Sequence, residues 1–401
     1  MRIGIDIRLI GKKRTGDEVV FFNLVKNLAR IDTKHGFELL TDITDKHILQ
    51  EISESLGIAG KNNFKIVSLP DPHLSGVPDI LSQREKIIGR ILHNKFAWNF
   101  WTLPKYLKAN PVDVYLTQYI TPFFVPRSTK IVTIIHDISF NFLPQFIKFA
   151  DLFFLKTLIP LSLKRADKVI GVSQFTRDEI IKFYKIAPEK VDYMHNAISE
   201  NFIGKPVSLE EKELVSEKYA LPKKFILYLG TLQPRKNIPH LIEAFARIKD
   251  ELGGIKLVVC GNIEAHNSDA RIKKSVEAHG LESDVVFPGF IDERDKVAIF
   301  SLAHVFVFPS LYEGFGFPPL EAMSQGVPTL CSDIPSLREV AGDGALFFDL
   351  ESLDDFSRKL HSIATDENLR SELIQLGRER INFFSWEKSA EKILAIFEKM
   401  Y

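Results

Sequence analysis

Residues 310–323 read SLYEGFGFPPLEAM and set two carboxylates eight positions apart, Glu313 and Glu321, around Gly314, Phe315, Gly316, Phe317, Pro318 and Pro319. Consecutive prolines lack backbone N–H groups and favour the opening turn of a helix. Glu321 is therefore expected in the first turn of a helix PPLEAMSQ, with Glu313 on the glycine loop before it. Gly314 and Gly316 let backbone approach a ligand with no Cβ between. A helix start beside such a loop offers an anion its positive dipole end and its N–H groups, those of Leu320 and Glu321 among them. An ionised carboxylate only accepts hydrogen bonds, so beside an anion it suits hydroxyls, such as a ribose or hexose diol. Taken singly, each acid has a plainer explanation: a favourable first-turn residue for Glu321, a solvated loop residue for Glu313.

A second cluster lies upstream in LYLGTLQPRKNIPHLIEAF. A strand ends at Gly230, a short loop follows, and Arg235 and Lys236 stand just before the next helix. Adjacent cations at the carboxyl end of a strand are placed to hold a diphosphate, arginine through its fork and lysine as a point charge. An Arg-Lys pair alone is usually just solvated. Gly230, Arg235 and Lys236 together with Glu313, 77 positions after Lys236, make a far more specific combination.

Short β-branched runs alternate with helical patterns along most of the chain. RIGIDIR, VDVYLTQY, KIVTIIHDI and KVIGVS read as strands, and DEVVFFNLVKNLARI and QFTRDEIIKFY as amphipathic helices. After a charged helical stretch, SLEEKELVSEKYAL, the pattern restarts. PKKFILYLG, IKLVVCG, DVVFPG, HVFVFPS, VPTLCS and GALFFD are strands; IPHLIEAFARIKDEL, DARIKKSVEAHGL, RDKVAIFSLA and PPLEAMSQG are helices, the last stopped by glycine. This alternation predicts two α/β, Rossmann-like domains, joined near 197–222 and facing a cleft, each with a parallel sheet covered on both faces. Ligands of such sheets bind beyond the carboxyl ends of the strands.

The 401 residues suit two domains, and 45% hydrophobic against 26% charged is the balance of a soluble globular chain. No apolar run approaches the roughly 20 residues of a membrane span, and MRIGIDIRLIG enters a strand pattern directly, so no cleaved signal is expected. Two distant cysteines, Cys260 and Cys331, argue against a disulfide scaffold or zinc site and for a cytoplasmic setting. The zero net charge divides unevenly: residues 1–200 carry 28 Lys+Arg against 21 Asp+Glu, and the remainder 24 against 31. An anionic partner for the first half or simple unevenness would both give this split. ILSQREKIIGRILHNKFAWNFWTLPKYLKA, with Phe96, Trp98, Phe100 and Trp101, and FIKFADLFFLKTLIPLSLKRADK interleave basic and aromatic residues. Such faces suit an interfacial helix at an anionic membrane or a groove for a hydrophobic acceptor, although aromatic residues at helical spacing more often form a core. No nucleic-acid partner is expected.

GTLQPRKN and EGFGFPPLEA, with their E-x7-E spacing, resemble the retaining GT-B glycosyltransferases of family 4 (group 1), its mannosyltransferase-like members in particular. The resemblance covers nearly the whole chain and is strongest over 226–349; it includes VPTLCSDIPSLREVAGDGALFFD and the closing FSWEKSAEKILAIF. It implies an acceptor-binding domain over 1–200, completed by a returning helix at 386–400, and a nucleotide-sugar-binding domain over 201–385. Arg235 and Lys236 would neutralise the leaving diphosphate, and Glu321 would accept from ribose hydroxyls. Glu313 and the Gly314, Phe315 and Gly316 amides, with Phe317 and Leu320 beyond them, would face the donor. Phe290 and Ile291 would meet the base through backbone groups. IIHDISF resembles the mannosyl-type subset, so His136 would hold a donor-sugar hydroxyl, although a strand-end histidine has a purely structural reading too.

One departure stands out. Where the family shows a glycine-rich turn near the first strand, this chain reads KKRTGDEVVFF: Gly16 remains, but Asp17 and Glu18 follow it. An acid beside a phosphate is unfavourable unless it faces away or meets acceptor hydroxyls. The resemblance implies transfer of a hexose, mannose first, from a nucleotide-diphosphate sugar to a glycan or lipid-linked acceptor, with a GDP sugar ahead of a UDP sugar. The donor is then a co-substrate and no cofactor is expected; the lack of an Asp-x-Asp motif predicts independence of a metal. Neither G-x-G-x-x-G with a following acid nor G-x4-G-K-[ST] occurs, against a nicotinamide or P-loop enzyme. A nucleotide-sugar-binding protein without turnover is the non-enzymatic alternative.

Overall fold

A computed structural model describes residues 1–12, 15–69, 98–204, 207–265 and 267–401. The chain divides into two compact units. The first comprises Met1–Phe142, Ile147–His195 and Trp386–Tyr401; the second comprises Leu143–Phe146 and Asn196–Ser385.

The first unit is built on strands β1 (Arg2–Asp6), β2 (Gly36–Thr41), β3 (Phe64–Ser68), β4 (Val114–Gln118), β5 (Lys130–Ile135), β6 (Lys168–Gly171) and β7 (Val191–Tyr193). They lie in the order β3-β2-β1-β4-β5-β6-β7, every neighbouring pair parallel. Parallel strands covered on both faces need apolar residues on both sides, and Val114, Tyr115, Leu116, Ile134 and Ile135 are fully buried. Helix Gly16–Ile31 follows β1, capped by Thr15, whose hydroxyl accepts from the Glu18 N–H at 3.3 Å. Its Val20, Phe21, Leu24, Val25 and Leu28 recur at helical spacing and are buried. Helix Trp386–Met400 packs against it, with Ser389 donating to the His195 carbonyl at 2.5 Å and Lys392 paired with Asp192 at 3.1 Å.

The second unit repeats the plan with β8 (Phe225–Leu229), β9 (Lys256–Cys260), β10 (Val285–Gly289), β11 (Val305–Phe308), β12 (Thr329–Ser332) and β13 (Ala345–Phe348). Its order is β10-β9-β8-β11-β12-β13, again parallel throughout. Both sheets therefore reverse their winding direction once, between β1 and β4 and between β8 and β11. That reversal opens a crevice beyond the strand ends, the place where open α/β sheets hold ligands. Cys260 and Cys331 are buried free thiols at the ends of β9 and β12, and burial pushes Cys260 up to about 12.

Several expectations are corrected here. Strands β2, β3 and β7 did not register in the pattern of residues, because Glu38 and Lys65 interrupt two of them and β7 has three residues. In the basic aromatic stretch 80–109, residues 80–97, Phe96 among them, lie outside the described residues, as do Lys13 and Arg14 before Gly16. Trp98 belongs to the core: it is buried, with the Arg8 guanidinium 4.5 Å above its ring. Phe100 is half-buried and stacks on Phe123, while Trp101 is exposed among the described members of that group. In the second basic aromatic stretch, helix Phe149–Arg165 keeps Phe149, Phe153 and Leu161 exposed.

Candidate active site

At the reversal in the second sheet, two loops meet. The loop after β8 runs from Gly230 to a single 3-10 turn, Pro234–Lys236, and Asn237 reverses the chain in left-handed geometry (φ +58°) into helix Ile238–Ile248. The loop after β11 carries Glu313. The Arg235 carbonyl accepts from the Leu311 N–H at 2.8 Å, which ties the two loops together.

The side chains join them further. Glu313 and Lys236 are both buried. The Lys236 ammonium bonds Glu313 Oε1, while Arg235 Nη1 lies 3.2 Å from Oε2 and donates to the Tyr312 carbonyl at 3.0 Å. Lys236 Nζ also sits 4.9 Å from the centre of the Phe308 ring, a favourable place for a cation. Burial pushes the Glu313 carboxyl up, but the charges of Lys236 and Arg235 outweigh it and bring its pKa to about 2. Tyr228, buried beneath, donates to the Thr231 carbonyl at 2.8 Å; burial, then the Glu313 charge, holds its phenol protonated. Two cations thus share one fixed carboxylate.

The glycine loop after β11 closes under close contact. Gly316 caps helix Phe317–Ser324 at φ +98°, and a Cβ there would stand 2.6 Å from Leu337 Cδ2. Phe315 is buried against Phe317 and Phe384, ring centres 5.5 and 5.6 Å away, so its side chain anchors the loop whatever its amide does. Because the helix starts at Phe317, Glu321 is its fifth residue and not in the first turn. The i−4 rule assigns the Leu320 and Glu321 N–H groups to the Gly316 and Phe317 carbonyls. The proposed donors on this helix are corrected accordingly: two prolines at its second and third positions displace the start toward the glycine. Glu321 itself is half-buried on the second turn.

The remaining positions stand at other strand ends. Phe290 is exposed and Ile291 buried just after β10. On the first unit, His136 follows β5 directly, and Gly16 opens the helix after β1. Apart from its chain neighbours and its own helix, no described atom lies within 4 Å of a Cβ built on Gly16. Two contributors escaped the reading of the residues. Gly261, after β9, approaches so closely that a Cβ would lie 2.3 Å from the Gly230 carbonyl; its place after a strand, like that of Gly230, was the available signal. Gln118, at the end of β4, holds His136 Nε2 at 2.7 Å, and nothing in its local sequence marks it.

Two parallel α/β units of this order define the GT-B class. The sequence profile of the glycosyl transferases group 1 matches residues 210–380, and that of glycosyltransferase family 4 matches 16–202. The O-antigen chain mannosyltransferase B of Escherichia coli is 30% identical over 312 residues, 77% of this chain and 78% of that protein. The chain belongs to glycosyltransferase family 4. The serotype-specific mannosyltransferase WbdA of Escherichia coli is 36% identical over 239 residues, 59% of this chain; the match spans 29% of that longer protein. The sucrose-phosphate synthase of Thermosynechococcus elongatus shares the fold, with TM-score 0.73 at 18% identity over 100% of this chain and 99% of that one.

Proposed function

We propose that the chain is a hexosyltransferase that moves a sugar, mannose first, from a nucleotide-diphosphate donor to a hydroxyl of a glycan or lipid-linked acceptor, retaining the anomeric configuration. The single observation that carries the reading is the Arg235–Glu313–Lys236 cluster at the reversal between β8 and β11. In the reaction, the bond from the sugar C1 to the diphosphate oxygen breaks and a bond from C1 to the acceptor oxygen forms on the same face. The acceptor's proton passes to the leaving phosphate. Charge grows on the diphosphate as it departs, and preorganised cations stabilise that growth more than they stabilise the intact donor. Arg235, part-buried, brings its charge to the phosphates; Glu313 holds both cations in place. On this reading no metal is needed, Glu321 meets the ribose, Phe290 and Ile291 the base, and His136 a hydroxyl of the donor sugar.

Mannose is favoured because relatives at 36% and 30% identity are named mannosyltransferases. The test is a panel of GDP and UDP sugars with lipid-linked glycan acceptors, scored for released nucleoside diphosphate and for product by mass spectrometry. GDP-mannose is expected to turn over, at a rate unchanged by EDTA, and to give an α-linked product. Tight binding of a donor with no release from any member would leave the non-enzymatic alternative standing.

An anionic bilayer is the partner that fits helix Phe149–Arg165. Phe149 is 83% and Phe153 59% exposed, and exposed Lys156, Leu161 and Lys164 continue the same side at helical spacing. Apolar rings among lysines suit the boundary of headgroups and acyl chains. Sedimentation with phosphatidylglycerol vesicles should exceed that with phosphatidylcholine, and Phe149→Ser with Phe153→Ser should cut it by about tenfold or more. Equal partition of the wild-type protein with both lipids would refute this surface.

A further inference from the structure

In the second unit, the chain that leaves β10 is pinned before and after two residues whose own backbone is unengaged. β10 lies at the edge of its sheet, with β9 as its strand neighbour, so sheet pairing fixes only one side of that chain. There the carbonyl of Gly289 (φ +82°) accepts from the Gly261 N–H at 2.9 Å. The exit is fixed instead by Tyr219, the residue that closes helix Leu209–Lys218. Its hydroxyl accepts from the Asp292 N–H at 3.1 Å and donates to Asp295 Oδ2 at 2.8 Å. A phenol has one proton to give and lone pairs to accept with, and both uses are filled. The Lys218 ammonium bridges the two carboxylates, 2.5 Å from Asp292 and 2.6 Å from Asp295, so the acceptor of the tyrosine proton is itself held.

Between these fixed points stand Phe290 and Ile291. Their backbone N–H and C=O groups make no hydrogen bond with any described residue, although Ile291 is only 4% exposed. Backbone polar groups withdrawn from water are nearly always paired, so unbonded ones on a held segment point to a partner outside the chain. A segment ordered beforehand also loses less freedom when that partner arrives. We propose that Tyr219 is a positioning residue for nucleobase recognition: through Asp292, its hydroxyl holds the Phe290–Ile291 backbone in place to meet the edge of a base. That the partner is a base rests on the sugar-transfer reading; the clamp itself does not.

Tyr219→Phe keeps the ring and removes the hydroxyl. Calorimetry of the full chain with GDP, UDP and inorganic pyrophosphate separates the base from the phosphates. The variant is expected to weaken the tighter nucleotide about fivefold, the scale of one lost hydrogen bond, and to leave pyrophosphate unchanged. KM for the nucleotide sugar should rise by a similar factor with kcat held. Asp295→Asn, which weakens the bond the hydroxyl donates, should move the nucleotide the same way by less. Amide exchange over 290–292 should quicken in Tyr219→Phe while that of β8 stays as in wild type. Equal loss for nucleotide and pyrophosphate would make Tyr219 a structural residue of the unit, and unchanged nucleotide affinity in both variants, or unchanged exchange, would remove the clamp; each overturns the proposal. A wild-type protein that binds neither nucleotide better than pyrophosphate sinks the base contact of the sugar-transfer reading and the proposal with it. A base-dependent gain that survives Tyr219→Phe sinks the proposal alone.

Discussion

Lys236→Met should lower turnover by about a hundredfold to a thousandfold, the usual cost of removing one preorganised group that meets developing negative charge. It should also destabilise the second unit by about 3 to 5 kcal/mol. Methionine fills nearly the same length but cannot bond Glu313 Oε1, and the buried carboxylate is left with Arg235 at 3.2 Å as its remaining cation. Breaking one side of a buried pair costs far more than replacing both sides, because the surviving charge has lost its solvent and its partner alike. The double variant Lys236→Met with Glu313→Gln removes that stranded charge, so its urea midpoint should return most of the way to wild type. Its turnover should not return. Stability of the single variant equal to wild type would contradict the buried pair, and restored turnover in the double variant would make Lys236 a structural residue only.

The parts of this site differed in how plainly the residues announced them. Arg235 and Lys236 at a strand end, and the glycines before a double proline, were legible because each obeys a local rule about donors, cations or backbone freedom. That Glu313 closes on both cations was not legible. The contact spans 77 positions and depends on β8 and β11 becoming neighbours, which follows from the order of the sheet and not from either loop. The same limit hid Gln118 and the approach of Gly261 to Gly230, each a contact between neighbouring strand ends. The start of helix Phe317–Ser324 misled for a different reason. Proline is favoured at the first position but accepted through the opening turn, so Pro318 and Pro319 mark that turn without fixing its first residue. The α/β alternation itself was plain, because buried parallel strands are continuous apolar runs; the strands it missed are short or broken by a charge.

Glu313 should also make stability depend on acid in a way that one substitution removes. Its pKa in the folded protein is depressed to about 2 from an ordinary 4.5. The contribution is therefore complete above about pH 4.5 and is lost as pH falls toward 2, because the unfolded chain takes up the proton first. At 1.36 kcal/mol per pH unit, the whole effect is about 3 kcal/mol, of which about 2 kcal/mol should be gone by pH 3. Glu313→Gln strands Lys236 and Arg235 without a counter-charge, so it should be less stable than wild type at pH 6 and lose that deficit steadily on acidification. Urea midpoints of both proteins between pH 6 and pH 3 measure the closing gap; a gap that stays constant would mean the carboxyl is not held down. The same depression limits what Glu313 can do in a reaction. A general acid or base works best with a pKa near the operating pH, and a carboxylate at about 2 stays ionised through the whole neutral range. On the proposed reading its contribution is to hold two cations for a diphosphate, so no activity limb above about pH 4 should belong to Glu313.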